Sequence, residues 1–338
     1  MFVVIDSGSS ATRIYLLEFS NSRVIDKEII AEGVNSTLTH GSSELLRQSM
    51  ANGVKQLLTR NGKAENDIAF IIASGMITSN LGLHEIPHRI APASIADLAQ
   101  HTVKFAENTL LALSIPVMLI PGIKNDTQPS WDNLRGIDLM RGEETQAAGV
   151  LLGYQPRLPC TLVELGSTTK LISINAQGQI AGSITSLSGQ VYAAMLKHTF
   201  VSSSVTVVPE ERDDEIDPAI IDAACRSVAD SGLLRSVLMT RFLQFSFPGT
   251  AAQRRLFLES AIAGDDVKLF ADARKQEFNF DGDIFLIGNA RRCEIYRHVI
   301  QQQLNIDTPL RIISDEEQID MLAITGASAI ANILRTLQ

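Results

Sequence analysis

Phe2-Val3-Val4-Ile5 is an unbroken apolar run that ends on Asp6, and a second apolar stretch, Thr12 to Phe19, follows across the small polar loop Ser7-Gly8-Ser9-Ser10-Ala11. Short apolar runs bounded by turn residues predict two buried strands joined as a hairpin. Helical periodicity over Leu45 to Leu58 stops at Asn61-Gly62, a helix-ending pair. Ile68 to Ala73 reads as a strand running into the polar stretch Ser74 to Asn80. The pattern then predicts a helix over Ile95 to Leu111, a strand over Pro116 to Ile120 closed by Pro121-Gly122, and a long loop from Lys124 to Asp138 that holds Trp131.

A second cycle begins with a helix over Glu143 to Leu152 and a Pro/Gly-bearing connection, Gly153 to Pro159. Thr161 to Leu165 is a strand containing an acidic residue, Glu164, and the loop Gly166-Ser167-Thr168-Thr169 leads into a return strand, Lys170 to Asn175. A turn at Ala176 to Gln179 precedes a third strand, Ile180 to Ile184. The acidic segment Glu210 to Asp217 is expected to be a solvated loop. Helical patterns fill Pro218 to Phe270, Ile284 to Ile287 is a buried strand, and Glu316 to Leu337 is a long amphipathic helix. The two halves repeat one theme of apolar strand, acidic residue, Gly-Ser/Thr loop and return strand. The loop glycines Gly8 and Gly166 lie 158 residues apart, one domain length.

A chain of 338 residues exceeds what one core usually supports, so two domains are expected, 1–155 and 156–338. A formal charge of −9 speaks against nucleic-acid and anionic-membrane partners. It does not speak against a phosphorylated ligand, which backbone N–H groups and a metal ion can hold. Cys160, Cys225 and Cys293 are far apart and form no CxxC pair, as expected of reduced thiols. The opening apolar run is too short for a signal segment and no stretch reaches a membrane-spanning length, so a cytoplasmic location is expected.

Three elements carry the candidate chemistry. Asp6-Ser7-Gly8-Ser9-Ser10 offers a glycine for close phosphate approach, donors from Ser9 and Ser10, and a carboxylate, Asp6, able to hold Mg²⁺ with the phosphates. The alternative is a tight hairpin made of turn-favouring residues. Glu164 to Thr169 has the same form. Paired hairpin loops of this kind, one per domain, grip ATP phosphates across a cleft in the actin-like superfamily, which the chain resembles. Gly288, at the end of a late strand before a helix, then falls where the nucleotide base is expected. No Walker A pattern is present, because Gly62-Lys63 is followed by Ala64. Glu143 and Glu144 open a helix: either they complement its dipole, or one is the general base toward a substrate hydroxyl.

The strings Asp6-x-Gly-Ser-x-x-Thr12-Arg13, Gly75-Met76-Ile77-x-Ser79-Asn80-x-Gly82, Ile120-Pro121-Gly122 and Met140-Arg141-Gly142-Glu143-Glu144-Thr145-Gln146 occur in this order. Together they resemble the 2-oxo-3-deoxygalactonate kinase family, and the resemblance extends to Lys170, Ser188-Gly189, His198, Gly264 and Gly288. It implies an α/β fold of two RNase H-like, actin-like ATPase domains flanking a nucleotide cleft. It also implies transfer of the ATP γ-phosphate to the 6-hydroxyl of a 2-oxo-3-deoxy sugar acid, with Mg²⁺. Gly8, Ser9, Ser10, Gly166, Ser167, Thr168, Lys170 and Gly288 would then bind nucleotide, and Asp6 the metal. Glu143, Glu144 and Asp6 would be catalytic.

Arg13, Ser79, Asn80 and Arg141 are candidate substrate contacts, although Arg13 has a structural ion pair as its alternative and Ser79 and Asn80 a turn-capping role. The sequence departs from the family at Ser7, where Trp is usual, at Thr168, where His is usual, and at Gln190, where Glu is usual. These departures keep open two rivals, an exopolyphosphatase-like phosphohydrolase and a non-catalytic nucleotide or sugar sensor. A small-molecule sugar acid is the expected partner, and a homodimer is left open.

Overall fold

The computed structural model describes residues 1–19, 21–207, 215–304, 306 and 308–336. It divides into two compact units: 1–156 with 178–182 and 320–338, and 157–177 with 183–319. Glu210 to Asp214 of the acidic segment lie outside the described residues; Glu215 to Asp217 are irregular, and Asp217 caps the helix that follows.

Among the described residues the region before residue 156 holds nine strands. These are β1 (Phe2–Ser7), β2 (Thr12–Leu17), β3 (Val24–Ile30), β4 (Ile71–Gly75), β5 (Arg89–Ile90), β6 (Val103–Phe105), β7 (Val117–Leu119), β8 (Ile123–Lys124) and β9 (Leu139–Met140). The main sheet has the order β3-β2-β1-β4-β7-β6, and β5, β8 and β9 form a small separate sheet. β1 pairs antiparallel with β2 and parallel with β4, so the hairpin continues into a crossover sheet. Helices α1 (Asn35–His40), α2 (Glu44–Arg60), α3 (Ile95–Gln100) and α4 (Glu143–Tyr154) complete the region before residue 156.

α2 buries Leu46, Met50, Val54 and Leu57, a helical stripe facing Ile5, Ile14 and Leu16 of the sheet. Each such side chain contributes about 1.5–3 kcal/mol when fully buried. Gly53 allows that approach, since a Cβ there would come within 2.8 Å of Ile14.

The helix expected over Ile95 to Leu111 stops at Gln100. Ser94 and Asp97 form a capping box at its start, but Val103–Phe105 pairs with β7, and that strand pairing replaces further helical turns. The edge strand β3 carried no strong apolar signal, because only one of its faces is covered.

The second unit repeats the arrangement. β10 (Cys160–Leu165), β11 (Thr169–Ile174), β12 (Ile180–Ser186), β13 (Ile284–Gly288) and β14 (Leu310–Ile313) take the order β12-β11-β10-β13-β14. The antiparallel β10–β11 pair and the parallel β10–β13 and β13–β14 pairs match β1–β2, β1–β4 and β4–β7 one for one. Between β12 and β13 lie α5 (Ser188–His198), α6 (Ser202–Val205), α7 (Pro218–Ser231), α8 (Leu233–Ser246), α9 (Ala251–Asp265) and α10 (Val267–Lys275); α11 (Ala290–Gln303) follows β13.

The last helix, α12 (Glu316–Thr336), was expected to close the second domain, yet from Asp320 onward it belongs to the first unit. Its apolar stripe packs on α4 at close range through two glycines. A Cβ on Gly326 would meet the Thr145 carbonyl oxygen at 2.0 Å, and one on Gly149 the Leu322 carbonyl oxygen at 2.1 Å. Among the described residues no helix is long and apolar enough to cross a membrane.

Candidate active site

In the first unit the site grows from the end of β1. Asp6 is half-buried and lies opposite Arg13 on β2 and Ser74 on β4. Burial above all pushes its carboxyl up to about 6; Arg13 works against that rise, while Asp320 and Glu143 add to it. The loop after it is tightly tied. The Gly8 amide donates to the Ala11 carbonyl (3.0 Å), and the Gly8 and Ser9 carbonyls accept from Val34 (3.3 Å) and Asn35 (2.9 Å). Gly33 lies flat on this loop, where a Cβ would come within 2.5 Å of Gly8 and Ser9 backbone atoms.

Ser7, at the position where the family usually has an aromatic, is fully buried. Its hydroxyl bonds Thr12 at 2.8 Å, so here it serves the packing of the hairpin.

Gly75 ends β4 opposite Ser7, with φ +87°. A Cβ on Gly75 would meet the Ser7 carbonyl oxygen at 2.4 Å and Asp6 Oδ1 at 3.3 Å. Gly142, with φ +120°, stacks its backbone against Gly75, 3.2 Å from Gly75 Cα to a Cβ placed there. Two glycines in conformations that side chains avoid thus bring the start of α4 up to Asp6. Gly75→Ala is expected to cost at least about 3 kcal/mol, because both the dihedral and the contact oppose it. The midpoint of urea unfolding reads that loss.

The two carboxylates that open α4 are not equivalent. Glu144 is completely buried, and its Oε2 accepts from the Gly142 amide (2.7 Å). Burial first, and the neighbouring Glu143 second, push its carboxyl up to about 8. Glu143 is partly exposed, accepts from the Arg141 amide (3.0 Å), and is the carboxylate of the pair whose charge Asp6 feels. A carboxyl raised in the folded state favours folding fully below its unfolded value of 4.5, and loses that contribution as pH rises toward 8. Stability should therefore fall by up to about 1.4 kcal/mol per pH unit across that window. Glu144→Gln, which mimics the protonated form, should flatten the slope in denaturant titrations run from pH 5 to 8.

The candidate substrate contacts fare differently from one another. Arg141 spends four donors on its own unit. Nη1 donates to the Thr78 carbonyl (2.5 Å) and hydroxyl (2.6 Å), and Nη2 to the Ile86 carbonyl (3.0 Å) and His88 Nδ1 (3.1 Å). It clamps the 76–88 segment. His88 accepts that bond as the neutral imidazole, since burial and Arg141 hold its pKa down near 4. Arg13 Nε pairs with Asp320 at 3.4 Å, and Lys27 shares the same carboxylate at 3.5 Å, which is the ion-pair alternative for Arg13. Ser79 is buried and donates to the Met76 carbonyl (2.7 Å), a turn-capping contact, and Asn80 beside it is exposed.

The second unit repeats these features. Glu164 lies two residues before Gly166, as Asp6 lies before Gly8, and its carboxylate reaches back to the loop: a Cβ on Gly166 would meet Glu164 Oε1 at 2.5 Å. Gly189 lies on this loop as Gly33 does on the first, 2.5 Å from the Gly166 carbonyl oxygen to a Cβ built there. Gly288, with φ +149°, ends β13 opposite Leu165, as Gly75 ends β4 opposite Ser7. Gly166 and Ser167 are exposed, Thr168 is partly so, and Lys170 is buried in β11 with its ammonium donating to Thr185 (2.8 Å).

A cavity of about 400 Å³ adjoins this loop. Gly166, Gly189, Tyr192, Glu259, Arg291 and Tyr296 line it, together with Arg292. Glu259 is held there by Arg291 (2.7 Å), Arg255 (3.2 Å) and the Tyr192 hydroxyl (3.0 Å). The sequence pattern missed Tyr192, Glu259, Arg291, Arg292 and Tyr296 because they come from three helices, α5, α9 and α11, whose apolar periodicity says nothing about what their cavity-facing ends share. The glycine that follows the third strand of each half, Gly33 and Gly189, was a signal available in the sequence.

The duplicated strand order and the glycine-backed loop of each unit are those of the actin-like ATPase fold. A Sinorhizobium meliloti protein provisionally named a 2-dehydro-3-deoxygalactonokinase has the same fold, with a TM-score of 0.73 at 20% identity over 98% of both chains. An activator of 2-hydroxyisocaproyl-CoA dehydratase from Clostridium difficile, solved with ADPNP, aligns at 13% identity over 99% of this chain and 96% of its own, with a TM-score of 0.48. No protein with a curated description matches in sequence. A profile of the 2-keto-3-deoxy-galactonokinase family matches residues 6–317, and the chain belongs to that family. It is accordingly a sugar-acid kinase, and membership implies ATP as phosphoryl donor.

Proposed function

We propose that the chain transfers the γ-phosphoryl group of ATP to the 6-hydroxyl of 2-oxo-3-deoxygalactonate or a closely related 2-oxo-3-deoxy acid, with Glu143 as the general base. The observation that carries this reading is the contrast at the start of α4. Glu143 is open and senses Asp6, whereas Glu144 is sealed and held protonated near neutral pH. A base must be able to take up a proton, which the sealed and already protonated Glu144 cannot do near neutral pH, so the role falls to the partly exposed Glu143.

In this reading Glu143 accepts the hydroxyl proton as the substrate oxygen bonds to the γ-phosphorus and the bond to the β-phosphate oxygen breaks, which leaves ADP. In the first unit the amides and hydroxyls of Ser9 and Ser10 suit phosphate oxygens, with Gly8 allowing close backbone approach; in the second unit the donors of Gly166, Ser167 and Thr168 suit phosphate oxygens, and the cavity beside Gly166 suits the nucleoside. Arg141 acts by clamping the 76–88 segment, and Lys170 by holding β11 to Thr185.

Among the described residues no cluster of three or more metal-ligating side chains is present. A magnesium ion can be held by few carboxylates plus substrate phosphates. Asp6 suits such an ion, because its raised carboxyl lies close enough to Glu143 and Asp320 to feel their charge, an acidic surrounding that a cation would relieve. A bound magnesium would neutralise charge on the phosphates during transfer.

Incubating the protein with ATP and a panel of 2-oxo-3-deoxy acids, and quantifying ADP, phosphosugar and free phosphate, tests the reading. ADP matched by phosphosugar is the expected outcome. Free phosphate without phosphosugar would point to a phosphohydrolase, and binding without turnover to a sensor. Gln190, exposed on α5 beside Gly189, replaces the family's usual Glu. Gln190→Glu is expected to raise kcat/KM for 2-oxo-3-deoxygalactonate roughly tenfold or more, the effect of restoring one charged hydrogen bond.

A further inference from the structure

Beneath the second Gly-Ser-Thr loop lies a chain of hydrogen bonds that neither the motifs nor the comparisons assign. Asp266, at the junction of α9 and α10, is 4% exposed and accepts three hydroxyl bonds. They come from Ser186 (2.6 Å) and Ser188 (2.7 Å) on Oδ1, and from the fully buried Tyr296 (2.5 Å) on Oδ2. The Tyr296 hydroxyl also meets Thr169 Oγ1 at 2.9 Å, and Arg292 donates to that same Thr169 oxygen (2.8 Å) and to the Gly166 carbonyl (2.5 Å).

The proton directions follow from the donor inventory. Arginine only donates and the Tyr296 proton is committed to Asp266, so Thr169 must donate to Tyr296. The result is a one-way relay of bonds, Arg292 to Thr169 to Tyr296 to Asp266, in which every buried polar atom named is satisfied.

We infer that Asp266 is a positioning residue for the nucleotide, acting through Tyr296 and Ser188; this rests on the reading that the Gly166–Thr168 loop holds ATP phosphates. Asp266 grips the loop from two sides. Through Tyr296 it orients Thr169, where the loop enters β11. Through Ser188 it fixes the start of α5, and so the Gly189 backbone that lies against Gly166 and Ser167. Ser186 ties the end of β12 to the same oxygen. A loop that donates backbone N–H groups to phosphates must be ordered before ligand arrives, and this carboxylate orders both of its flanks. No nucleotide contact by Asp266 itself is needed.

The test compares wild type with Tyr296→Phe, Ser188→Ala and Asp266→Asn. Affinity for a fluorescent ATP analogue, steady-state KM for ATP and for sugar acid, and melting temperature are measured for each. Tyr296→Phe keeps the ring and its packing, so it should remain folded. It should weaken ATP binding about tenfold, the effect of one lost bond to a charged group. The sugar-acid KM should stay within about twofold of wild type, since the loop concerned holds nucleotide only. The double variant of Tyr296→Phe with Asp266→Asn should be no weaker toward ATP than Asp266→Asn alone, because the two act on one path.

Tyr296→Phe and Ser188→Ala with wild-type ATP affinity, whatever their melting temperatures, would overturn the inference while leaving the kinase reading intact. Failure of the wild-type protein to bind ATP would overturn both.

Discussion

Glu143→Gln is expected to lower kcat by about two to four orders of magnitude, the range over which a positioned general base contributes. The KM for ATP should change little, because the lost carboxylate acts on the sugar hydroxyl. Glu144→Gln is the matched control. It removes a carboxyl that is already neutral near pH 7, with Oε2 bound to the Gly142 amide, so kcat should stay within severalfold of wild type. Steady-state assays of both variants with coupled ADP detection decide the assignment. Comparable losses in the two, or a larger loss in Glu144→Gln, would move the base to Glu144.

Asp6→Asn is expected to leave the fold intact and reduce turnover at least about 100-fold, since the amide cannot replace a carboxylate ligand to a metal ion. The same residue sets a pH limb. With its carboxyl raised to about 6, the ionised form is lost as pH falls through that value, so kcat/KM should decline tenfold per unit below it. A titration of activity from pH 5 to 8 at limiting magnesium reads the limb, and turnover at saturating magnesium reads the loss in Asp6→Asn. Near-normal kcat in Asp6→Asn with magnesium in excess would remove Asp6 from the metal site.

The repeat of strand, acidic residue and glycine loop was legible because it is written in local terms: apolar runs of strand length, and turn residues between them. β1, β2, β10 and β11 appear where those runs fall. The same local rule failed at Val103–Phe105, which is short, partly exposed and strand-forming only through its pairing with β7. Arg141 shows the limit for site residues. Its place in the Met-Arg-Gly-Glu-Glu string suggested a ligand contact, and the fold adds what the string does not show: four of its five donors meet Thr78, Ile86 and His88, which are more than 50 residues away in the chain.

What the sequence by itself determined was the duplicated α/β plan, the two Gly-Ser/Thr loops and the family, because strand burial, turn formation and motif spacing depend on neighbours along the chain. The difference between Glu143 and Glu144 came only with the tertiary structure. They are adjacent and chemically identical, and it is the packing of α4 that seals one carboxyl from water and leaves the other partly exposed, near enough for Asp6 to feel its charge. The same is true of Asp266 and Tyr296, whose importance lies in bonds across 30 residues and more that no periodicity records. Desolvation and long-range hydrogen bonding are properties of three-dimensional proximity, and they decided which of the candidate groups can carry charge, accept a proton or hold a loop in place.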